Sequence, residues 1–173
     1  MNSQTGMVMT TIDRVAPVRQ VYFHDPGAPS ATVVVPSVFV VVQRPGGWLL
    51  LVRRCDSGVW ELPGGQVDVG ETAIGAGVRE TAEEAGVVVG VTGIVGLFTD
   101  PAHIVRSASG VVRQQFVVVL RAEALGGSPR GDLHETSEAA WVAVAELPGL
   151  RMEAPVRAWI AQALAGDEPA HLG

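Results

Sequence analysis

The chain reads as an α/β (α+β) sandwich, a mixed sheet flanked by helices. Three observations predict it. Runs of β-branched residues bounded by turn formers recur along the chain. One stretch with helical spacing interrupts them, and a second closes the chain. Their order mixes strands and helices with no internal repeat and no dividing linker. The 173 residues are 47% hydrophobic and only 17% charged, the composition of a chain that buries a core.

Residues 1–31 are punctuated by Pro17, Pro26, Gly27 and Pro29 and are expected to form a loosely structured extension with at most one short strand. Residues 33–42 are β-branched and read as a buried strand. Arg44-Pro45-Gly46-Gly47 forms a hairpin turn, and residues 48–53 make the return strand. A glycine-rich, acidic stretch at 63–71 leads into a helix over 72–85. Ile74, Val78, Thr81 and Ala85 form its expected buried stripe, and Gly86 is placed to end it in the left-handed conformation. Strands follow at 87–98 and 111–120, joined by a loop holding Asp100-Pro101-Ala102-His103. A turn-rich segment at 126–131 precedes a last strand at 140–144. A helix at 155–164 starts with Pro155 in its first turn, and residues 166–173 are read as a tail. The main folding unit is therefore expected over residues 32–165.

Composition narrows the chemistry. The formal charge is −6 and all twelve cations are arginine. Without lysine there is no Schiff base, no P-loop lysine and no lysine general base. An acidic domain suits a small anionic substrate better than a long nucleic acid. A single cysteine, Cys55, cannot form an internal disulfide and is read as packing. No basic stretch leads into an apolar one near Met1, and the longest apolar run is interrupted by Pro36 and Ser37. The expectation is a cytoplasmic protein with no membrane association.

Six of the eighteen carboxylates lie between Glu61 and Glu84. Glu80, Glu83 and Glu84 stand at i, i+3 and i+4 and are expected on one helical face, away from the apolar stripe. A solvated polar face is the bland explanation, but the energetics oppose it. Acids near a helix C-terminus each cost about 0.3–1 kcal/mol. Like charges at i, i+4 add about 0.2–0.5 kcal/mol, and Gly75 and Gly77 weaken the helix by about 1 kcal/mol each. A divalent cation would turn the repulsion into attraction, and carboxylate oxygens are ligands that Mg²⁺ or Mn²⁺ prefers.

The full spacing runs Gly65, five residues, Glu71, seven residues, Arg79-Glu80, two residues, Glu83-Glu84, one residue, Gly86-Val87. At the chain's own residue frequencies, those seven fixed positions would match by chance roughly two or three times per million such chains. This pattern resembles the Nudix box, and Trp60-Glu61-Leu62-Pro63-Gly64-Gly65 resembles the strand and turn that lead into it. Thr81 departs from the usual aliphatic residue but is close to valine in size.

The resemblance implies the Nudix α/β/α sandwich and an enzyme, a pyrophosphohydrolase acting on a nucleoside diphosphate linked to another moiety. It implies bound Mg²⁺, with Mn²⁺ as a substitute. Glu80 and Glu84 would be principal ligands, Glu83 would help directly or through water, and the Gly64 carbonyl would be a further ligand. Glu71 and Arg79 would brace the loop against the helix, with phosphate binding the lesser role for Arg79. Members often carry a base or extra ligand six residues before a tryptophan near the last strand. Here Trp141 points to Glu135, with Glu138 the runner-up.

Weaker candidates surround these. His103 would overhang the metal site from its loop, although a solvated loop histidine is the simpler reading; His134 is similar, and His24 and His171 are bystanders. Arg53 is a candidate substrate contact, as are Arg54, Arg106 and Arg113. Of Gln114 and Gln115, at most one faces the pocket, because strand neighbours point to opposite faces; Gln115 is the candidate. Trp48, Trp141 and Trp159 are read as core. Pro101 lies fourteen residues past Val87, close to where ADP-ribose pyrophosphatases of the family carry a proline, and this resemblance, with the approach through residues 22–30, favours ADP-ribose or a similar nucleotide sugar as substrate. The alternatives are a nucleoside triphosphate pyrophosphatase that clears modified nucleotides, and a non-catalytic nucleotide-binding module. Dimers are frequent in the family, so the resemblance also implies a homodimer.

Overall fold

The computed structural model describes residues 18–166 and 169–173. Ten strands run in chain order: β1 (Gln20–Phe23), β2 (Val33–Arg44), β3 (Trp48–Arg54), β4 (Trp60–Glu61), β5 (Gly64–Gln66), β6 (Val87–Phe98), β7 (His103–Arg106), β8 (Val112–Gly127), β9 (Thr136–Ala143) and β10 (His171–Leu172). Two α-helices, α1 (Ala73–Ala85) and α2 (Ala154–Leu164), and a 3-10 turn (Val144–Gly149) complete the described elements.

The sheet is mixed. β2 and β8 run parallel in unbroken register from Val33 opposite Arg113 to Val42 opposite Ala122. The other edge of β8 is shared between β7 and β6, both antiparallel to it, and β1 pairs with β7. The second edge of β2 takes β5 at Ser37–Phe39 and then β3 at Gln43 and Arg44. Beyond that hairpin β3 leaves β2 and pairs with β9 and β4.

Alternation on the two central strands sorts their side chains between two helices. Phe39, Val41, Val117 and Val119 face α2 and join Trp159 and Ile160. Val38 and Leu120 face α1 and meet Ala76. Leu49, Leu50 and Leu51 are fully buried, each contributing about 1.5–3 kcal/mol of apolar transfer.

Helix α1 begins at Thr72, whose side chain accepts from the Gly75 N–H at 3.0 Å, and ends at Gly86 with φ of 67°. Its buried face differs from the expected stripe. Ile74 is 55% exposed, whereas Ala76, Gly77, Thr81, Glu84 and Ala85 face inward. The reason is proximity: a Cβ at Gly77 would stand 3.0 Å from Val40 and 3.2 Å from Leu120. The helix thus packs on the sheet through its smallest residues, and a side chain the size of isoleucine has no room there. The Thr81 hydroxyl is buried and donates to the Gly77 carbonyl at 2.7 Å, which satisfies it within the helix.

Other expectations shift as well. The strand expected at 111–120 continues to Gly127, and the last strand starts at Thr136. His103 opens a strand instead of sitting in a loop, because residues 103–106 bridge β1 and β8. The tail contributes β10, parallel to β6. Residues 1–17 of the extension lie outside the described residues, and β1 is its one described strand. Trp48 is 42% exposed at the hairpin end and Cys55 is exposed in a turn, so neither is core. Trp159 is buried, and Trp141 lies half-buried beneath the Arg44 guanidinium, 4.6 Å from its ring.

Candidate active site

A polar cleft of about 240 Å³ opens where the loop before α1 crosses the sheet. Gly64, Gly65, Gln66, Asp68 and Glu80 line one side, and Arg19, Arg54 and Glu61 another. Ser37, Phe39, Arg113 and Gln115 form the floor, with Glu135 at the rim.

The acidic side is held in close quarters. Glu84, expected on the outer face of the helix, is instead 2% exposed and turned inward. Its Oε2 accepts from the Gly64 N–H at 2.9 Å, while its Oε1 is buried with no partner. Burial pushes this carboxyl up to about 9; the Gly64 N–H opposes the shift, and the nearby charges of Glu61 and Glu80 add to it. Glu80 is also raised, chiefly by burial. Its carboxylate lies directly over Gly65, where a Cβ would fall 2.7 Å from the Glu80 Cδ. Glu83 is largely exposed.

Arg79 organises the loop. Its Nε and Nη2 each donate to a Glu71 oxygen at 3.0 Å, and Nη2 reaches the Gln66 carbonyl at 3.3 Å. Nη1 lies 2.9 Å from Glu80 and 3.1 Å from Glu83. Hydrogen bonding to Glu71 is the main reason the guanidinium pKa is raised further. Arg79 thus draws Glu80 and Glu83 toward itself while Glu84 faces inward. Among the described residues no three acidic, histidine or cysteine side chains close into a finished metal cage. The donor set nevertheless fits a divalent cation, because an unpartnered buried carboxylate oxygen stands beside a second half-buried carboxylate.

Glu135 is placed by its loop. The Asp132 Oδ1 accepts the N–H groups of His134, Glu135 and Thr136 at 2.9–3.0 Å. The Thr136 hydroxyl donates to the Glu84 carbonyl at 2.7 Å, which ties this loop to the end of α1. The runner-up, Glu138, is off the cleft; it lies 3.9 Å from Arg53 on the exposed sheet edge. Arg53 itself donates to the Gly58 carbonyl there and does not line the cleft, because neighbours on β3 alternate and the inward place falls to Arg54.

The strand alternation also separates the glutamines. Gln115 is 1% exposed and lines the cleft, whereas Gln114 lines a groove beside residues 24–31. His103 is not a loop residue above Glu80 and Glu84. It is 5% exposed, with ring centroids 6.0 Å from Trp159 and 5.7 Å from Phe23, and burial, then Arg19, lowers its pKa to about 4. It lines an apolar cavity of about 220 Å³ with Phe98, Trp159 and His171, the last stacked on Phe98 at 4.5 Å. A small void of about 10 Å³ shares Arg19, Phe39 and Glu61 with the cleft and His103, Pro155 and Trp159 with this cavity. His24 pairs with Asp100 at 2.7 Å, away from the cleft, and His134 is exposed on the Glu135 loop.

Several cleft residues escaped the sequence reading. Glu61 is buried and receives Arg54 at 3.1 Å and Arg19 at 3.4 Å. Arg19 lies in the extension, outside any motif, and Ser37 sits inside an apolar run. The one available signal was the adjacent charge at Glu61, a lone acid in a strand that would otherwise bury apolar groups.

The family model described as the NUDIX domain matches residues 34–165. A provisionally named 8-oxo-dGTP diphosphatase of Bacillus subtilis (strain 168) is 34% identical over 110 residues, spanning 64% of this chain and 67% of that protein. Among solved structures, a Nudix hydrolase from Nitrosomonas europaea superposes with a TM-score of 0.67 at 20% identity, over 83% of this chain and 80% of that one. An ADP-ribose pyrophosphatase from Streptococcus suis 89-1591 superposes with a TM-score of 0.59 at 23% identity, over 80% and 96%.

Proposed function

The chain belongs to the Nudix hydrolase family, and from that premise we propose that it uses a divalent cation, Mg²⁺ or in its place Mn²⁺, to hydrolyse a nucleoside diphosphate linked to another moiety. One observation carries the reading: the buried Oε1 of Glu84 has no partner, while its other oxygen holds Gly64 in the wall of the cleft that Glu80 lines and Glu135 rims, close enough for the Glu80 charge to raise it. Glu80 and Glu84 would hold the metal with the Gly64 carbonyl, and Glu83 would assist from the exposed end. When bound, the cation would neutralise diphosphate charge and lower the pKa of the attacking water.

The remaining work falls to this chain's side chains. Glu135, on the loop held by Asp132 and Thr136, would accept the water proton as oxygen bonds to phosphorus and the bridging P–O bond breaks. The Glu71–Arg79 pair fixes the loop so that Glu80 keeps its place over Gly65. The cations on the far side hold substrate phosphates.

ADP-ribose or a similar nucleotide sugar is favoured by the apolar cavity that lies beyond the shared wall of Arg19, Phe39 and Glu61, which would offer the second part of a two-part substrate its own compartment. A nucleoside triphosphate is the second reading, favoured by the arginine-rich side of the cleft and by the name of the Bacillus relative. Product analysis with ADP-ribose and a panel of nucleoside triphosphates, each with Mg²⁺ and with chelator, separates them. AMP plus ribose 5-phosphate supports the first, and nucleoside monophosphate plus pyrophosphate supports the second. Products that form equally in chelator overturn the metal-dependent mechanism.

A further inference from the structure

The cationic side of the cleft carries more positive charge than its own residues balance. Arg19 and Arg54 both meet Glu61, and Arg54 is also gripped by Asp56 at 2.9 Å. Two cations are thus matched by two carboxylates. Arg113 has no carboxylate within ion-pair distance among the described residues. Its side-chain partner is the neutral Oε1 of Gln115 at 3.3 Å, which also accepts from Ser37 at 3.4 Å. Burial, followed by repulsion from Arg19 and Arg54, depresses the Arg113 pKa. A guanidinium does not shed its proton in a protein, so the charge persists, and an unpaired charge drawn out of water is costly.

Nothing in the packing asks for a cation at this place. On β8, Arg113, Gln115, Val117 and Val119 point to one face, and the last two lie in the core with Phe39 and Trp159. At Gln115 that row leaves the core and becomes cleft floor. The backbone neighbours of Arg113 are Val33 on β2 and Val105 on β7. Position relative to the acidic side follows from the register. Gln115 pairs with Val35 and Gly64 with Phe39, so 39 − 35 = 4 residues of β2 separate them, about 13 Å along the strand.

We infer that Arg113, seated on Gln115 and Ser37, is a docking subsite for a phosphoryl group remote from the bond that is cleaved. It thereby strengthens binding of substrates that carry such a group, a nucleoside triphosphate or a phosphorylated nucleotide sugar, relative to the same substrate without it. The distance from the cleaved bond rests on the hydrolase reading above; the anion subsite does not. The phosphoryl group can come from two sources, the terminal phosphate of a triphosphate or a phosphomonoester on a ribose.

The test compares wild type, Arg113→Gln and Arg113→Lys on dGTP, ADP-ribose and 2′-phospho-ADP-ribose. The expected result is a rise in KM of about ten- to a hundredfold for the glutamine variant on a substrate bearing the remote phosphoryl group, the range of a lost charge-assisted hydrogen bond. ADP-ribose should change less than about twofold on the same scale, with kcat preserved and the lysine variant partly restored. Loss confined to dGTP identifies the terminal phosphate, and loss confined to 2′-phospho-ADP-ribose identifies the ribose ester. Equal loss on all three overturns the subsite and makes Arg113 a shaping residue.

A second readout needs no turnover. Inorganic tripolyphosphate, with chelator present, should raise the melting temperature of wild type and not of Arg113→Gln. If wild type hydrolyses none of the three but shows this shift, the hydrolase reading fails and the subsite stands. If turnover is normal and neither the shift nor any Arg113 dependence is found, the subsite fails and the hydrolase reading stands.

Discussion

Replacing Glu84 by glutamine separates the electrostatic burden of this carboxylate from its shape. In the structure Glu84 is 2% exposed, its Oε1 has no partner, and its carboxyl is pushed up to about 9. At pH 7 the metal-free protein therefore keeps it protonated, and a cation that takes the carboxylate must displace that proton. The gap from about 9 down to pH 7 costs about 3 kcal/mol at 1.36 kcal/mol per pH unit. Cation affinity should thus be weaker by about a hundredfold at pH 7 than near pH 9, rising about tenfold per pH unit between. The stability sign is opposite. Because the folded value lies above the ordinary 4.5, the metal-free fold is favoured at low pH and loses stability as pH rises through the interval up to about 9. Glutamine resembles the neutral acid and keeps an acceptor for the Gly64 N–H, so it removes this slope. Titration calorimetry with Mn²⁺ in buffers of different ionisation enthalpy measures the released proton. Melting curves in chelator measure the slope. Wild type should release about one proton per cation at pH 7, whereas Glu84→Gln should bind far more weakly and without pH dependence. It should melt no lower than wild type at pH 8. Wild-type cation affinity in Glu84→Gln would refute the reasoning, as would cation binding by wild type with no proton release.

The other expectations concern separate parts of the site. Glu135→Gln should lower kcat by about 10²–10⁴-fold with little change in KM, while Glu138→Gln, on the sheet edge beside Arg53, should leave both unchanged; steady-state kinetics decide, and a silent Glu135→Gln removes the base assignment. Gly65→Ala forces a methyl against the Glu80 carboxylate, so Mn²⁺ affinity should fall more than melting temperature does. His103 is held neutral down to about 4 against an ordinary 6.5, so stability is lost as pH falls below 6.5. The loss is about 2 kcal/mol between pH 7 and pH 5, and His103→Phe should flatten that limb of a denaturation series. Thr72→Ala removes the N-cap of α1 and should cost about 1 kcal/mol, read by urea unfolding.

What the sequence disclosed was mostly local. The spacing from Gly65 to Gly86 sits on one loop and one helix, so adjacency in sequence is adjacency in space, and the braces of Arg79 follow directly. The orientation of Glu84 did not follow. Whether a helix buries isoleucine or glycine depends on how closely it approaches the sheet, and periodicity does not report that distance. The convergence of Arg19 with the candidates Arg54 and Arg113 was hidden for a different reason. Arg19, Arg54 and Arg113 meet only because β8 returns parallel to β2 and β1 docks on β7, pairings between segments far apart in sequence. Which of the two candidates Arg53 and Arg54 faces the cleft was a question of strand phase, which flips with each residue. His103 was misread because the residues flanking it look like a loop, and only strand pairing on both sides makes four residues into β7.

The hydroxyl of Thr136 has a consequence for how the enzyme ages with temperature. It joins α1 to the Glu135 loop across 52 residues of sequence by its 2.7 Å contact to the Glu84 carbonyl, next to the Arg130 N–H that donates to the Ala85 carbonyl at 2.9 Å. Alignment of a proton acceptor with its water is felt at the scale of an ångström, whereas the hydrophobic core tolerates far larger excursions before it melts. On the reading of Glu135 as the proton acceptor, activity is expected to fail at this joint before the interior gives way. Heating should erode turnover while circular dichroism still reports an intact fold, and Thr136→Val should widen the gap between the two midpoints. A variant whose activity and ellipticity fall together would place the weak point back in the core.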